Sequence, residues 1–94
     1  MTTILIVDDE QSIRTLLEYN LKQSNVNTIT AAEGEEALAL ITKERPDLVL
    51  LDLMLPKIDG MDVCKQLRQQ NINVPIIMLT ARGVEPDKVL GLEI

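Results

Sequence analysis

The chain has 94 residues, of which 46% are hydrophobic and 26% charged, and its net charge is −6. This length fits one small globular domain, residues 1–94, and the longest apolar run is far shorter than the ~20 residues that cross a bilayer. The negative charge excludes a sequence-independent grip on nucleic acid, which depends on Lys and Arg side chains that neutralise phosphates. The sequence contains no histidine, which excludes Ser-His and Cys-His nucleophile pairs and leaves carboxylates, hydroxyls and lysine as reactive groups.

The start of the chain, MTTILIVDDE, has neither a basic leader nor a small-residue cleavage site. The single cysteine, Cys64, cannot form an internal disulfide. Both features favour a cytoplasmic protein that does not contact a membrane.

Apolar runs and helical spacings alternate along the chain. Short apolar runs predict strands at residues 4–7, 26–30, 48–51 and 74–79. Helical spacing predicts three helices between these strands, with the apolar sets Ile13, Leu16, Leu17 and Leu21, then Ala37, Leu38 and Ile41 after Gly34, then Val63, Cys64 and Leu67. A last helix is predicted to begin at Glu85 and Pro86, since proline is tolerated in a first turn.

This alternation indicates right-handed crossovers and a parallel sheet covered by helices on both faces, which also accounts for the unbroken apolar strands. The predicted fold class is α/β, a doubly wound parallel sheet. We expect the flavodoxin-like strand order, here limited to four strands in the order 2-1-3-4.

Three carboxylates stand at strand ends. Asp8 and Asp9 follow the first strand and Asp52 ends the third, and in the predicted order these strands are neighbours, so the carboxylates should converge in one pocket. Two carboxylates roughly 5 Å apart repel by about 3 kcal/mol at an effective dielectric constant of about 20, so the cluster needs a proton or a cation. An all-oxygen site suits Mg²⁺, or Mn²⁺ as a substitute. A carboxylate that the metal does not fully occupy is a candidate nucleophile for phosphoryl transfer, because aspartate forms acyl phosphates.

Each of these residues also has a simpler interpretation. Asp8 and Asp9 could cap the helix that follows them and complement its dipole. Asp52 is harder to explain in this way, because a buried, unpaired carboxylate costs several kcal/mol and no Arg or Lys is adjacent to it in the sequence. Thr80, at the end of the fourth strand, could donate its hydroxyl to a phosphoryl oxygen or could begin a turn.

The segments ILIVDDE, DLVLLDLMLPKIDG and PIIMLTAR together resemble the receiver domain of bacterial two-component response regulators, from about Thr3 to the last residue. The resemblance implies that Asp52 is the phosphoacceptor and that Asp8, Asp9 and Asp52, with the backbone carbonyl of Met54, hold Mg²⁺.

The same resemblance assigns two further positions. Thr80 matches the family's switch hydroxyl, which contacts the phosphoryl group, and Ala81 matches the small residue that lets phosphate in. Pro56 and Gly60 match the loop after the third strand.

The resemblance also implies a function. Receivers accept a phosphoryl group from a partner sensor histidine kinase, and they are not enzymes beyond their own aspartyl phosphorylation and dephosphorylation. The stretch ARGVEPDKVLGLE further resembles receivers of transcriptional regulators that carry a winged-helix DNA-binding domain, of the kind that responds to phosphate limitation. This chain itself is not expected to touch nucleic acid.

One departure from the family pattern concerns the fifth strand. Receivers continue into a fifth strand, which supplies a lysine and an aromatic residue, and a fifth helix, whereas this sequence ends at Ile94. The remaining cations nearby, Lys57, Lys65, Arg82 and Lys88, do not stand at an equivalent position. The alternative function is therefore a non-catalytic receiver fragment with impaired phosphotransfer, which self-associates through an exposed fourth strand.

Two other classes are disfavoured. Metal-dependent phosphatases that use an aspartyl phosphate commonly place an acid two residues after the nucleophile, where this chain has Met54. A flavin-binding module would need a loop that cradles phosphate after the first strand, whereas DDEQS would repel one.

Overall fold

Four strands and three helices alternate in the computed structural model, which describes residues 2–52, 55, 58 and 60–79. In chain order they are β1 (Thr3–Val7), α1 (Gln11–Lys22), β2 (Asn27–Ala31), α2 (Gly34–Glu44), β3 (Leu48–Asp52), α3 (Gly60–Gln69) and β4 (Ile76–Leu79). The last predicted helix, from Glu85 and Pro86, lies outside the described residues.

The four strands form one parallel sheet in the order β2-β1-β3-β4, which confirms the predicted fold class and strand order. The chain moves from β1 outward to β2 and then crosses back to β3 on the other side of β1. With right-handed crossovers, this reversal places α1 and α2 on opposite faces of the sheet. The reversal is the switch point at which ligands bind in doubly wound folds.

The hydrophobic core lies between the sheet and the helices α2 and α3. Alternate strand residues, among them Leu5 and Val7 of β1, pack there against Ala37 and Ile41 of α2 and Leu67 of α3. The intervening residues Ile4 and Ile6 are buried but do not belong to this cluster, as the two-residue period of a strand requires. The core is therefore one-sided within the described part of the chain.

The other face of the sheet is covered less completely. Helix α1 contains no buried residue, and Leu48, Leu50 and Ile77 are only partly buried. Leu16, which shares the helical spacing of the apolar residues of α1, is 57% exposed. Ile13, Leu17 and Leu21 recur every four residues and are partly buried, so they form the apolar stripe of this helix. The apolar set of this helix therefore includes one residue, Leu16, that is mostly exposed.

Two strands begin later than predicted. Val26 is not in β2, because its N–H donates to the Leu21 carbonyl after Asn25 turns the chain with a φ of 60°. Val74 is buried but precedes β4, and Pro75, which has no N–H to donate, separates it from the strand. Val74 still belongs to the apolar interior that the sequence indicated, whereas Val26 is only partly buried.

Two further features concern side-chain environment and membrane contact. Cys64 on α3 is buried, and this burial raises the pKa of its thiol, so that it behaves as a small apolar side chain.

Among the described residues, no helix is both long and apolar enough to cross a membrane.

Gly34, the first residue of α2, is buried against the connection between β3 and α3. A Cβ at this position would lie 2.9 Å from the carbonyl oxygen of Ile58, 3.0 Å from Cγ2 of Val63 and 3.1 Å from Cβ of Ile58. Because the nearest atom belongs to the backbone, a side chain could fit only if the loop or the helix moved. Glycine therefore lets α2 approach Ile58 and Val63 closely.

We expect Gly34→Ala to lower the free energy of unfolding by about 1–3 kcal/mol through overpacking, even though alanine is the better helix former by up to about 1 kcal/mol. Urea unfolding followed by circular dichroism measures the change. Ala39→Gly, at an exposed position of the same helix, is the control and should lose only about 1 kcal/mol. A stabilised Gly34→Ala variant would contradict the close-packing explanation.

Candidate functional site

The register of two central strands brings acidic residues together. Val7 of β1 pairs with Leu51 of β3, so the next residues along these parallel strands, Asp8 and Asp52, lie side by side at the carboxyl edge of the sheet. The Asp8 N–H extends the pairing of β1 by donating to the Ala31 carbonyl of β2 at 3.1 Å. The backbone of Asp8 is thereby fixed on the β2 side.

Asp8, Asp9 and Asp52 form one carboxylate cluster, as predicted. Each offers an oxygen atom, and these three atoms lie within 4.8 Å of one another. Asp8 is 6% exposed and Asp52 3% exposed, whereas Asp9 is exposed to solvent. The cluster thus has two buried members and one that faces water, which leaves it accessible from outside.

The simpler interpretation of Asp8 and Asp9 as helix caps fits only in part. The N-cap residue of α1 is Glu10, whose side chain makes no capping hydrogen bond. Asp8 Oδ1 accepts a hydrogen bond of 2.9 Å from the Glu10 N–H, which is a local turn immediately before the helix. Asp8 therefore helps to start α1, and this contact does not account for Asp9.

Arg14 also contacts the acidic loop, and the sequence analysis missed it. Its Nη1 donates a 2.7 Å hydrogen bond to the backbone carbonyl of Asp8. The signal was present in the sequence, because helical side chains point back toward the N-terminus and Arg14 is the fourth residue of α1. No Arg or Lys is adjacent to Asp52 in the sequence, and Arg14 approaches the acidic loop from α1.

The donor set of the cluster fits a small, hard cation. Three carboxylates offer only oxygen atoms, which is the ligand type that Mg²⁺ prefers, and the open side at Asp9 admits the water molecules that Mg²⁺ retains. Without a cation, the same geometry is costly, since each pair of carboxylates at this distance repels by about 3 kcal/mol at an effective dielectric constant of about 20.

Several predicted site residues lie outside the described part of the chain. They are Met54, with the proposed metal-binding carbonyl, Thr80, Ala81 and the nearby residues Pro56, Lys57, Arg82 and Lys88. Lys65 is described and is exposed on α3, as expected for a solvated surface charge. Gly60, expected in the loop, is the first residue of α3.

Comparison with known proteins identifies the family. The sequence profile of the response regulator receiver domain matches residues 4–94. The chain belongs to this receiver domain family. Receiver domains are signalling modules, and members of this family bind Mg²⁺ through acidic residues and accept phosphate from sensor histidine kinases.

Curated relatives of this receiver domain include transcriptional regulators. It is 63% identical over 91 residues to the alkaline phosphatase synthesis transcriptional regulatory protein PhoP of Bacillus subtilis, covering 97% of this chain and 38% of PhoP. It is 55% identical over 91 residues to the probable transcriptional regulator ycf27 of Porphyra purpurea, covering 97% of this chain and 37% of that protein. The chain thus spans less than two fifths of the length of these relatives.

Solved structures show the same fold. The receiver domain of Francisella response regulator 1452 superposes with a TM-score of 0.83 at 34% identity, covering 94% of this chain and 73% of that chain. The response regulator TrrA of Thermotoga maritima, in complex with Mg²⁺-BeF, superposes with a TM-score of 0.82 at 41% identity, covering 88% of this chain and 72% of that chain.

We expect Asp52→Asn to raise the free energy of unfolding of the metal-free protein by about 1–3 kcal/mol, because it removes two of the three carboxylate repulsions. Saturating Mg²⁺ should stabilise the unsubstituted protein more than the variant. Urea unfolding with EDTA and with Mg²⁺ measures both effects.

The control for this prediction is Glu44→Gln, which removes one negative charge at the exposed end of α2. This control should change stability by no more than about 0.5 kcal/mol. If Asp52→Asn instead destabilised the metal-free protein, repulsion would not dominate the energetics of the cluster.

Proposed function

We propose that this receiver, one domain over residues 1–94, accepts a phosphoryl group on Asp52, with Mg²⁺ held by Asp8, Asp9, Asp52 and the backbone carbonyl of Met54. The observation that carries this proposal is the convergence of three carboxylate oxygens within 4.8 Å at the carboxyl edge of the sheet. Mn²⁺ is the expected substitute, since it favours the same oxygen ligands.

Asp52 is the nucleophile in this proposal because its position suits the reaction. It is the last residue of β3, so the sheet holds its backbone, and register pairs it with Leu79 on its other side. A carboxylate oxygen of Asp52 attacks the phosphorus atom of a phosphohistidine on the donor. The P–O bond forms as the P–N bond breaks, and the imidazole nitrogen keeps the electron pair and takes up a proton.

The surrounding groups have distinct tasks. Mg²⁺ held by Asp8, Asp9 and Asp52 would offset the negative charge of the carboxylates and of the incoming phosphoryl group. Asp8 is held by its backbone and side-chain hydrogen bonds, so the position of its carboxylate is set before a ligand arrives. Thr80 is proposed to donate its hydroxyl to a phosphoryl oxygen, and Ala81 to leave room for that group.

The partner and the pathway follow from the family and the relatives. We propose a sensor histidine kinase as phosphodonor and transcription as the regulated process, in the cytoplasm, with DNA contacted by a part of the regulator other than these residues. PhoP is named for alkaline phosphatase synthesis, which is consistent with a role in phosphate limitation. TrrA, which is 41% identical to this chain, was solved in complex with Mg²⁺-BeF, and this supports the binding of Mg²⁺ by a receiver of this kind.

The second candidate function is a self-associating receiver fragment with slow phosphotransfer. The observation that favours it is that β4 pairs only with β3 among the described strands and stands at the edge of the sheet. Unpaired backbone groups of an edge strand are a template for association. Size separation before the phosphorylation assay distinguishes this candidate from the first.

Asp52→Asn should abolish Mg²⁺-dependent phosphorylation by a small acyl phosphate, because an amide oxygen is not nucleophilic enough to replace the carboxylate. Mass spectrometry of fractions separated by size measures the uptake of phosphate. Asp62→Asn, at an aspartate exposed on α3, is the matched control and should react as the unsubstituted protein does. Equal phosphorylation of the Asp52→Asn variant would overturn the assignment of the phosphoacceptor.

Asp9→Ala should raise the dissociation constant for Mg²⁺ by about tenfold or more, because it removes a charged oxygen ligand from the open side of the cluster. Calorimetric titration of the folded variant measures the constant. Glu10→Ala, which removes an exposed acid from the adjacent residue, should have a much smaller effect. An unchanged affinity in Asp9→Ala would mean that Asp9 is not a metal ligand.

A further inference from the structure

Arg14 links the first helix to the backbone of the acidic loop. It is half-buried in the first turn of α1, and its Nη1 donates to the carbonyl oxygen of Asp8 at 2.7 Å. Its own N–H donates to the carbonyl of Glu10 at 3.2 Å, which anchors the residue in the helix. The Arg14 side chain therefore reaches from α1 back to Asp8, the first residue after β1.

The carbonyl that Arg14 contacts belongs to the peptide that joins Asp8 to Asp9. A peptide unit is planar, so fixing its oxygen also fixes its N–H and the direction in which the chain leaves toward Asp9. The N–H of Asp8 is held by Ala31, and its carboxylate accepts from Glu10. The guanidinium of Arg14, which donates to the Asp8 carbonyl, therefore restrains the orientation of the Asp8–Asp9 peptide.

We infer that Arg14 is a positioning residue of the cation site, an inference that rests on the proposed function. It aligns the carboxylates of Asp8 and Asp9 with Asp52 by holding the peptide between them. Contacts of this kind, one step behind the ligands, commonly tune metal affinity by about 10- to 100-fold.

Charge and position predict opposite effects when Arg14 is neutralised. If Arg14 acted only through its positive charge, its removal would relieve repulsion toward Mg²⁺ and tighten binding. If Arg14 positions the loop, its removal releases the peptide and weakens binding. The direction of the change therefore tests the inference.

Arg68→Gln is a matched control for Arg14→Gln. Arg68 is also partly buried, and its Nη1 donates at 2.7 Å to the carbonyl of Ile72 and its Nη2 at 3.2 Å to the carbonyl of Val74. These carbonyls precede β4 and lie near the amino ends of the strands, whereas the carboxylates lie at the carboxyl ends. Both substitutions remove one positive charge and hydrogen bonds from a side chain to the backbone, but only one of them is beside the site.

The experiment titrates Mg²⁺ into the full 94-residue chain and into the variants by calorimetry, and it measures amide hydrogen exchange in the metal-free proteins. Arg14→Gln should raise the Mg²⁺ dissociation constant about tenfold and Arg68→Gln should leave it unchanged. Exchange of the Glu10 amide, which donates to Asp8, should accelerate about tenfold in Arg14→Gln alone.

Arg14→Lys completes the series and decides the question if Arg14→Gln does not fold. Lysine keeps the charge but lacks the rigid fork of donors, so the dissociation constant should rise about threefold, between that of the unsubstituted protein and that of Arg14→Gln. An unchanged constant in this variant would overturn the inference. Unchanged or tighter binding in Arg14→Gln would do the same, as would equal weakening in Arg68→Gln.

The two proposals fail in different ways. If the unsubstituted protein bound no Mg²⁺ and took up no phosphate, the proposed function would fall, while Glu10 exchange in the metal-free variants would still show whether Arg14 holds the loop. If the unsubstituted protein bound Mg²⁺ and was phosphorylated but Arg14→Gln behaved identically, only the inference on Arg14 would fall.

Discussion

The parallel pairing of β1 with β3 is the constraint on which the site depends. Because Val7 pairs with Leu51, the residues that follow carry carboxylates to the same edge of the sheet. Their mutual repulsion, about 3 kcal/mol for a pair at an effective dielectric constant of about 20, is opposed by the burial of the apolar strand residues before them. A shift of one residue would both separate the carboxylates and turn the apolar side chains away from the core.

The acidic loop, residues 8–10, is held by contacts to Asp8 that leave Asp9 exposed to solvent. Asp8 is fixed by Ala31, Glu10 and Arg14, whereas Asp9 remains exposed. The position of Asp8 is thus set by the fold, whereas Asp9 is in contact with solvent. Without a cation, the repulsion among the three carboxylates lowers the stability of the fold. The attraction between a bound cation and each carboxylate would outweigh that repulsion.

Packing on the two faces of the sheet differs in a way that bears on the site. On the α2–α3 face, Gly34 closely approaches Ile58 and Val63. On the α1 face, Leu16 and Tyr19 are exposed and the central strands are only partly covered. The better-packed face is thus the one that contains α2, Ile58 and α3.

The sequence by itself determined the fold class, the strand order and the three carboxylates, because β-branched runs and acids at strand ends are local patterns whose meaning the parallel topology fixes. It did not determine where β2 and β4 begin, since the Val26 N–H donates to a carbonyl of α1 and Pro75 has no N–H to donate to β3. The helical position of Arg14 indicates that its side chain points back toward the acidic loop. Only the tertiary structure decided that Leu16 is exposed and that the Asp8 carbonyl is the atom that Arg14 contacts. Those outcomes depend on how a helix is rotated against the sheet and on the path of a long side chain, which the spacing of residues does not specify.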